Sequence, residues 1–208
     1  MMSQTVTFTE LGPAEFRPAI NQFVAVYAAA MNPPERMLTG RETILDRHAS
    51  SPGFRALTAH AGGELAGFVY GFHGAPGQWW HDMVAGALAA TRPSPGTPGA
   101  HAWLQDAFEV AELHVMPAFQ GAGTGRSLLL RLLSGRPERS VLLSTQDAES
   151  RARRLYRGVG FTDLLTGFRF SGGEPPYAVM GAMLPLEPGQ RADTAAAASR
   201  FSPRPSIS

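Results

Sequence analysis

The chain has 208 residues, a formal net charge of +1 and 44% apolar residues, which is enough apolar material for the core of one domain. A charge this close to zero excludes the strongly basic face that is typical of proteins that bind nucleic acids. Cysteine is absent, which excludes disulfides, thiol catalysis and cysteine-based metal sites. The six histidines show no metal-ligand spacing, so we expect no metal site.

The chain begins Met-Met-Ser-Gln-Thr, without the basic segment and the apolar stretch of a signal peptide. Its apolar stretches are all shorter than a membrane span requires. We therefore expect a cytoplasmic protein that does not bind membranes.

The first fifty residues predict one strand and two helices. Alternating β-branched residues predict a strand over residues 5–10. Apolar residues at helical spacing predict a helix over 13–31, which Asn-Pro-Pro at 32–34 ends. Residues 38–48 predict a second, shorter helix.

A hairpin is expected next. Residues 54–60 and 64–72 predict two strands, joined at Gly62 and Gly63. Paired glycines between two apolar runs are typical of a tight hairpin turn.

Residues 74–107 form a long insert before the next strand. Trp80, Val84 and Leu88 share one face of a short helix predicted there, and a proline- and glycine-rich stretch follows at 91–99. Long connections in compact domains are often functional or disordered. The tryptophans either cover an exposed part of the core or form a wall or lid of a substrate pocket.

Residues 108–115 predict a central strand in which the alternation of apolar and polar residues is interrupted once. Apolar residues lie on both sides of the interruption: Phe108 and Val110 before it, and Leu113 and Val115 after it. A β-bulge produces such an interruption, because its extra residue reverses the facing of everything that follows. A bulge would make Glu109, Glu112 and His114 face one side. The alternative is that helices cover both faces and the interruption has no structural meaning.

A glycine loop follows this strand and leads into a leucine-rich helix, with glycines at 121, 123 and 125. Glycine reaches backbone angles closed to other residues and lets a ligand approach the main chain. The amides of the loop and of the helix start form an anion site. We therefore expect a ligand that carries phosphate.

The spacing of the loop separates the possible phosphate ligands. A dinucleotide-binding fingerprint would need glycine where Arg126 stands, and a nucleoside-triphosphate loop would need glycine at Gln120 and lysine at Arg126. Neither pattern fits. A glycine turn that only reverses the chain is the remaining structural alternative.

The last part of the chain predicts alternating elements. A strand is expected over 141–145 and a helix over 149–157, followed by two final strands over 161–170 and 177–184.

Beyond residue 186 the sequence is rich in alanine, serine and proline, with little apolar material to bury. We therefore expect a disordered tail over 187–208 and one domain over 1–186.

Two motifs resemble those of the GNAT superfamily of N-acetyltransferases. Gln-x-x-Gly-x-Gly at 120–125, preceded by Val115-x-Pro117, is similar to the family's acyl-CoA-binding motif. Ala152-Arg-Arg-Leu-Tyr-Arg-Gly-Val-Gly-Phe161 is similar to its Ala-x-x-Leu-Tyr-x-x-x-Gly-Phe motif. Their order, with one predicted strand between them, is more specific than either motif alone. The resemblance covers residues 5–185.

The resemblance implies an α/β (α+β) fold with a mixed, mostly antiparallel central sheet, helices on both faces and a splayed central strand pair. It implies an acyltransferase that moves the acetyl group of acetyl-CoA to a primary amine of a small molecule or peptide, by direct attack in a ternary complex. The alternative is a catalytically silent domain that binds acyl-CoA as a sensor or interaction module. The implied partners are acetyl-CoA and an amine acceptor, and the chain is expected to be a monomer or homodimer.

The resemblance also implies which residues bind the coenzyme. In this family the loop wraps the pyrophosphate of acetyl-CoA and the preceding strand pairs with its pantetheine arm. The implied positions are Leu113, His114, Val115, Gln120, Gly121, Ala122, Gly123, Thr124, Gly125, Arg126, Ser127, Glu149 and Ala152. The amide of Val115 is implied as the donor to the thioester oxygen. Glu149 departs from the family, which often has asparagine there, because a carboxylate accepts a hydrogen bond but cannot donate one.

The implied chemistry needs a base for the amine and an acid for the leaving thiolate. Glu109 and Glu112 are the candidate bases, with His114 as a weaker one, and Glu109 occupies the place where some family members carry theirs. Tyr156 lies where the family often places the acid. The structural alternatives are that the glutamates are solvated or salt-bridged and that Tyr156 only packs on the core.

The resemblance implies an acceptor pocket lined by residues 28–40 and 166–177. These segments hold few acidic residues, whereas a polycationic acceptor needs an acidic pocket. We therefore expect a modestly charged amine or a peptide.

Overall fold

A computed structural model of the protein describes residues 5–91, 99–170 and 175–186. Seven strands form one sheet, with the spatial order β1-β2-β3-β4-β5-β7-β6. The strands are β1 (Val6–Leu11), β2 (Arg55–Ala61), β3 (Glu64–Gly74), β4 (Ala107–Val115), β5 (Ser140–Gln146), β6 (Thr162–Phe168) and β7 (Tyr177–Met183). Every strand that the sequence predicts is present, and each strand end lies within two residues of its predicted position.

The sheet is mixed and mostly antiparallel, which confirms the predicted fold class. All neighbouring strands are antiparallel except β4 and β5, which are parallel. The parallel pair needs a long crossover, and the helix that follows the glycine loop provides it.

The helices differ from the prediction mainly at their starts. Their bounds are α1 (Pro13–Phe16), α2 (Ile20–Met31), α3 (Arg41–His48), α4 (Trp79–Ala90), α5 (Ala100–Leu104), α6 (Thr124–Leu133) and α7 (Arg151–Arg157). The continuous helix predicted over 13–31 is wrong, because a 3₁₀ turn at Arg17–Ala19 separates α1 from α2. Pro18 lies in that turn, and proline has no amide hydrogen to continue an α-helix.

Two other helices begin later than predicted, and each begins directly after a residue that favours a helix start by its backbone conformation or its side chain. Gly40 has φ of 76° before α3, a left-handed conformation that favours glycine. The hydroxyl of Ser150 accepts a hydrogen bond from the amide of Arg153, as a helix N-cap does. The predicted start at residue 149 therefore moves to Arg151.

Helices cover both faces of the sheet. On one face, the leucines of α6 and Tyr156 of α7 are buried in one cluster with Val141 and Leu143 of β5. On the other face, α1 to α3 cover β2 and β3 through a second apolar cluster, and α4 and α5 cover β5 and β7 through a third. The second and third clusters therefore lie side by side on the same face.

The insert contains the helix predicted around Trp80 and also α5, which the sequence did not predict. Val84 and Leu88 of α4 are buried as expected. The proline-rich part of the insert at 92–98, residues 171–174 and the predicted tail at 187–208 lie outside the described residues. Among the helices described, none is both long and apolar enough to cross a membrane.

Gly71 of β3 supplies a prediction about this sheet. A Cβ atom at Gly71 would lie 2.3 Å from the carbonyl oxygen of Glu109 and 2.6 Å from the Phe108 ring. We expect Gly71→Ala to lower the free energy of unfolding by about 3 kcal/mol, since β4 must move to make room. Urea denaturation measures this change.

Gly86→Ala is the matched control, because Gly86 lies inside α4 with nothing within 4 Å of an added Cβ. We expect this variant to gain up to about 1 kcal/mol from the better helix former. Equal stability for the two variants would contradict the close approach of β3 and β4.

Candidate active site

The central feature of the site is the place where β4 and β5 separate. In the described part of the sheet these strands pair at three positions, Ala107 with Ser140, Phe108 with Val141 and Glu109 with Leu142. Both strands then continue, β4 to Val115 and β5 to Gln146, but they no longer pair with each other. The separation opens the sheet, as the predicted splayed pair requires.

A bulge in β4 confirms the interpretation of the broken alternation. Tyr70 of β3 lies opposite Glu112, and Gly71 lies opposite Val110, so Ala111 is the extra residue. The apolar side chains on both sides of the bulge then share the face covered by α6. Glu112 and His114 are turned to the other face, where Ala111 packs with the helices α1 to α3.

Glu109 lies on that same face, directly at the opening. Its register partner Leu142 packs in the cluster under α4 and α5. Its side chain is 7% exposed, and its Oε2 atom has no hydrogen-bond partner within the described residues. Burial raises the pKa of Glu109 to about 8, because a charge without a partner is costly in an apolar environment.

Glu112 is in the opposite electrostatic situation. Its carboxylate accepts hydrogen bonds from Arg41 of α3 and from His114. Burial alone would raise the pKa of Glu112, but the hydrogen bonds and charges of His114 and Arg41 outweigh burial and hold this pKa below its ordinary value. Glu112 is therefore an ionised, fully engaged carboxylate, as the salt-bridge alternative proposed.

The Arg41 side chain is part of a polar group that the sequence did not predict. Its guanidinium lies 3.3 Å from the centre of the Tyr27 ring, and that ring contacts His114 edge-on. Nearby, the Tyr70 hydroxyl lies 3.0 Å from Nδ1 of His48. These contacts join residues up to 71 positions apart, and neither motif nor periodicity signals them.

The glycine loop is exposed between the end of β4 and the start of α6. Gly121 and Gly123 have φ of 84° and 85°, and both are exposed, as is Ala122. The side-chain amide of Gln120 donates to the carbonyl of Val115 at 2.9 Å, which ties the loop to the end of β4. Backbone amides at the start of α6 thus lie beside the opening.

The first turn of α6 follows this loop directly. Gly125 lies within the helix, between Leu155 of α7 and Val115 of β4. The buried Thr124 hydroxyl has no partner among the described residues. Arg126 is exposed and Ser127 half-buried, one turn from the loop.

Tyr156 of α7 is buried against Phe161 in the core cluster beneath α6. Burial, and secondly the charge of Glu112, raise the pKa of Tyr156 above its ordinary value. The hydroxyl therefore stays protonated at neutral pH. This protonation suits a proton donor, and the same burial satisfies the packing interpretation.

Glu149 and Ala152 lie at the start of α7, and both are exposed. The Glu149 carboxylate accepts a hydrogen bond from Arg157 at 2.9 Å. Arg157 thus partly neutralises the negative charge that distinguishes this position from the asparagine expected from the resemblance.

A chain of charges fixes α7 to the last hairpin. Arg153 pairs with both Asp147 and Asp163, and Asp147 also accepts a hydrogen bond from the amide of Gly167 at 2.6 Å. Gly167 has φ of 65° in β6. The hairpin thus has a fixed position next to the open end of β5.

Two cavities, of about 440 and 420 Å³, lie away from this opening. Both include Met183 and Leu184, at the end of β7 that pairs with the start of β5. None of the predicted site residues lines them. Within the described ranges, no group of three or more acidic or histidine side chains could hold a metal ion.

Comparisons with known proteins agree with this geometry. A family model described as the acetyltransferase (GNAT) family matches residues 21–161. A GCN5-like protein acetyltransferase from Mycobacterium tuberculosis is 34% identical over 202 residues, covering 85% of this chain and 97% of the relative. A mycothiol acetyltransferase from Kineococcus radiotolerans is 36% identical over 100 residues, covering 45% of this chain and 32% of the relative.

The fold is also found among solved structures. An aminoglycoside 6'-acetyltransferase type Ii superposes with a TM-score of 0.58 at 15% identity, covering 88% of this chain and 99% of the other. The NAA60 protein of Arabidopsis thaliana, solved with a bisubstrate analogue, gives 0.55 at 17% identity, covering 86% and 98%. At these identities the likeness concerns the fold alone.

The buried Glu109 carboxyl predicts a pH dependence of stability. The pKa of Glu109 is raised in the folded chain to about 8. The protonated carboxyl therefore contributes fully to the free energy of unfolding at acidic pH, and this contribution is lost as the pH rises towards 8. We expect the free energy of unfolding of the unaltered protein to fall by about 3 kcal/mol between pH 5 and 8 because of Glu109, and we expect this fall to be absent in Glu109→Gln. Urea denaturation of both proteins across this range measures the difference, and parallel curves would contradict the raised pKa.

Proposed function

The chain belongs to the acetyltransferase (GNAT) family, and from that membership we propose that it transfers acetyl from acetyl-CoA to a primary amine by direct attack in a ternary complex. The observation that supports this proposal is the opening between β4 and β5. The glycine loop and α6 lie on one side of the sheet at this opening, and the Glu109 carboxyl faces the other. A thioester from one side and an amine from the other would meet there.

The coenzyme would be held mainly by backbone. Amides of Gly121 to Gly125 would bind its pyrophosphate, because the exposed loop and the helix start concentrate positive partial charge. Arg126 would add a full positive charge one turn away. The unpaired side of β4 near Val115 would accept the pantetheine arm, and the amide of Val115 would stabilise the charge that develops on the thioester oxygen.

Glu109 is the better candidate for the base. An alkylammonium with a pKa near ~10.4 must lose a proton before it attacks, and a carboxylate whose pKa is about 8 is a stronger base than an ordinary one. An ammonium group beside Glu109 would also favour the ionised carboxylate. Glu112 is engaged by Arg41 and His114, so we assign it to positioning these side chains.

The proton balance of the transfer uses two residues. The amine nitrogen forms the new bond to the acetyl carbon while the bond to sulfur breaks. Glu109 takes the first proton from the ammonium and passes it to solvent, and it takes the second proton from the nitrogen as the new bond forms. The leaving thiolate takes a proton from the Tyr156 hydroxyl, and the tyrosinate regains the proton that Glu109 holds, through solvent. A thiolate, whose parent thiol has a pKa near ~8.5, is a better leaving group than an alkoxide, and its release is completed when the Tyr156 oxygen, the stronger base of the two, is reprotonated.

A peptide amine is the first acceptor to test. The relative that aligns over most of its length is named as a protein acetyltransferase, whereas the mycothiol acetyltransferase aligns over 32% of its length. The assay is thiol release from acetyl-CoA with a panel of peptide and small-molecule amines. Coenzyme binding without turnover on any amine would contradict the proposed reaction and support a sensor.

Replacing Gly123 tests the coenzyme site. We expect Gly123→Glu to bind acetyl-CoA at least about tenfold more weakly than Gly123→Gln, because only the glutamate places a negative charge at the pyrophosphate. Gln is the matched control, since both side chains impose the same strain on a residue with φ of 85°. Isothermal titration calorimetry measures the two affinities, and equal values would contradict the site.

Tyr156→Phe tests the proposed acid. The ring that packs on Phe161 is kept and only the hydroxyl is lost. We expect kcat to fall by about tenfold or more while the Kd of acetyl-CoA changes less than about twofold. A normal kcat would leave Tyr156 with its packing role alone.

A further inference from the structure

The helix α4 of the insert lies at the open end of the sheet. Val84 is completely buried, and with Leu88 it packs against Leu142 of β5 and Val179 of β7. The helix therefore covers the half of the sheet beyond the opening, on the face that carries Glu109. Its first turn points towards the place where β5 leaves β4.

A hydrogen bond fixes that first turn. The indole Nε1 of Trp80 donates to the hydroxyl of Ser144 at 3.2 Å, across 64 positions of sequence. Ser144 lies two residues beyond Leu142, the last residue of β5 that pairs with β4. Since alternate residues of a strand face the same side, Trp80 lies at the border of the opening on the same face as Glu109.

Other aromatic rings extend from Trp80 to the last hairpin. The centre of the Phe170 ring lies 5.4 Å from Trp79, 4.8 Å from Phe168 and 5.3 Å from Tyr177. We call Trp79, Trp80, Phe168, Phe170 and Tyr177 the aromatic wall. Asp147 and the Gly167 amide hold the hairpin part of this wall in place.

Covering the core does not require all of this wall. Val84 and Leu88 already bury the third apolar cluster, whereas 60% of the Trp79 side chain is exposed. A large ring that is exposed next to other rings gains apolar contact only when something binds to it. Trp79 is therefore available to a ligand that enters the opening from this face.

The charges around the opening limit what that ligand is. Arg41 and His114 neutralise Glu112, and Arg153 pairs with Asp147 at the hairpin. Asp82 of α4 is engaged by the Gly77 amide and by His81. Of the carboxyls on β4, on α4 and at the start of the last hairpin, Glu109 is thus the one that remains for an ammonium group, and the rest of the ligand meets rings.

We propose that the aromatic wall binds the body of the acceptor, and that the enzyme therefore selects primary amines with an aromatic or large apolar group a few bonds from the nitrogen. This inference rests on the proposed function. Trp79 would contact the apolar group, and the bond from Trp80 to Ser144 would position the wall. A linear amine or a polyamine would lack the matching contact.

The test compares 2-phenylethylamine with n-propylamine and spermidine as acceptors. We expect kcat/KM for 2-phenylethylamine to exceed the other two by about tenfold or more. Trp79→Ala should remove most of that preference through KM for the amine, and it should leave the Kd of acetyl-CoA unchanged. Met183→Ala, which removes an exposed apolar side chain at the far end of β7, is the control and should keep the preference.

Two variants test the hydrogen bond from Trp80 to Ser144, which is proposed to position the aromatic wall. Trp80→Phe keeps a ring and Ser144→Ala keeps a small side chain, but each removes one partner of the same hydrogen bond. We expect both to raise KM for 2-phenylethylamine by a similar factor, and the double variant to raise it no further. Independent effects in the double variant would overturn the positioning role of Trp80.

The outcomes separate this inference from the proposed function. Turnover without preference, or a preference that Trp79→Ala leaves intact, would overturn the aromatic wall while the acetyl transfer stands. If no amine is acetylated, binding of 2-phenylethylamine measured by isothermal titration calorimetry decides instead. Binding that Trp79→Ala removes would support the wall, and absence of binding to the unaltered protein would overturn it.

Discussion

The arrangement of the candidate site depends on the short length over which β4 and β5 pair. Three residue pairs join an antiparallel group of four strands to an antiparallel group of three in the described sheet. Because the last pair contains Glu109, the opening begins where the buried carboxyl lies. The glycine loop then follows the end of β4, and the Ser144 hydroxyl lies beyond the last pair on β5. The position of each candidate group follows from this early separation.

Two glutamates of the same strand, three residues apart, have opposite electrostatic states because their surroundings differ. Glu112 lies after the bulge, within reach of α3, so Arg41 and His114 stabilise its charge. Glu109 lies before the bulge, under an apolar layer, and its Oε2 atom has no partner in the described part of the chain. The pKa of one is lowered and that of the other raised by the same fold. Separated pKa values in neighbouring carboxyls are typical of sites where one group transfers a proton and the other stays charged.

Local patterns in the sequence predicted the strands, the glycine loop and the bulge, because each depends on residues close together in the chain. The break in alternation at Ala111 was enough to indicate which side chains share a face. Contacts between distant segments were not predictable in this way. Arg41 reaches Glu112 across 71 positions and Trp80 reaches Ser144 across 64, and nothing in either local pattern identifies the partner. Pro18 was a local signal whose effect on the first helix was missed.

The single extra residue in β4 also has a consequence for how this chain tolerates change in its gene. Exchanging the methyl group of Ala111 for another small side chain would leave the order of facings intact. An in-frame loss of that one codon would join Val110 directly to Glu112 and give strict alternation, in which Leu113 and Val115 still face α6 and Glu112 and His114 still face Arg41. Such a loss would keep the facings and remove only the local bend and added twist that a bulge gives a strand, close to the place where β4 leaves β5.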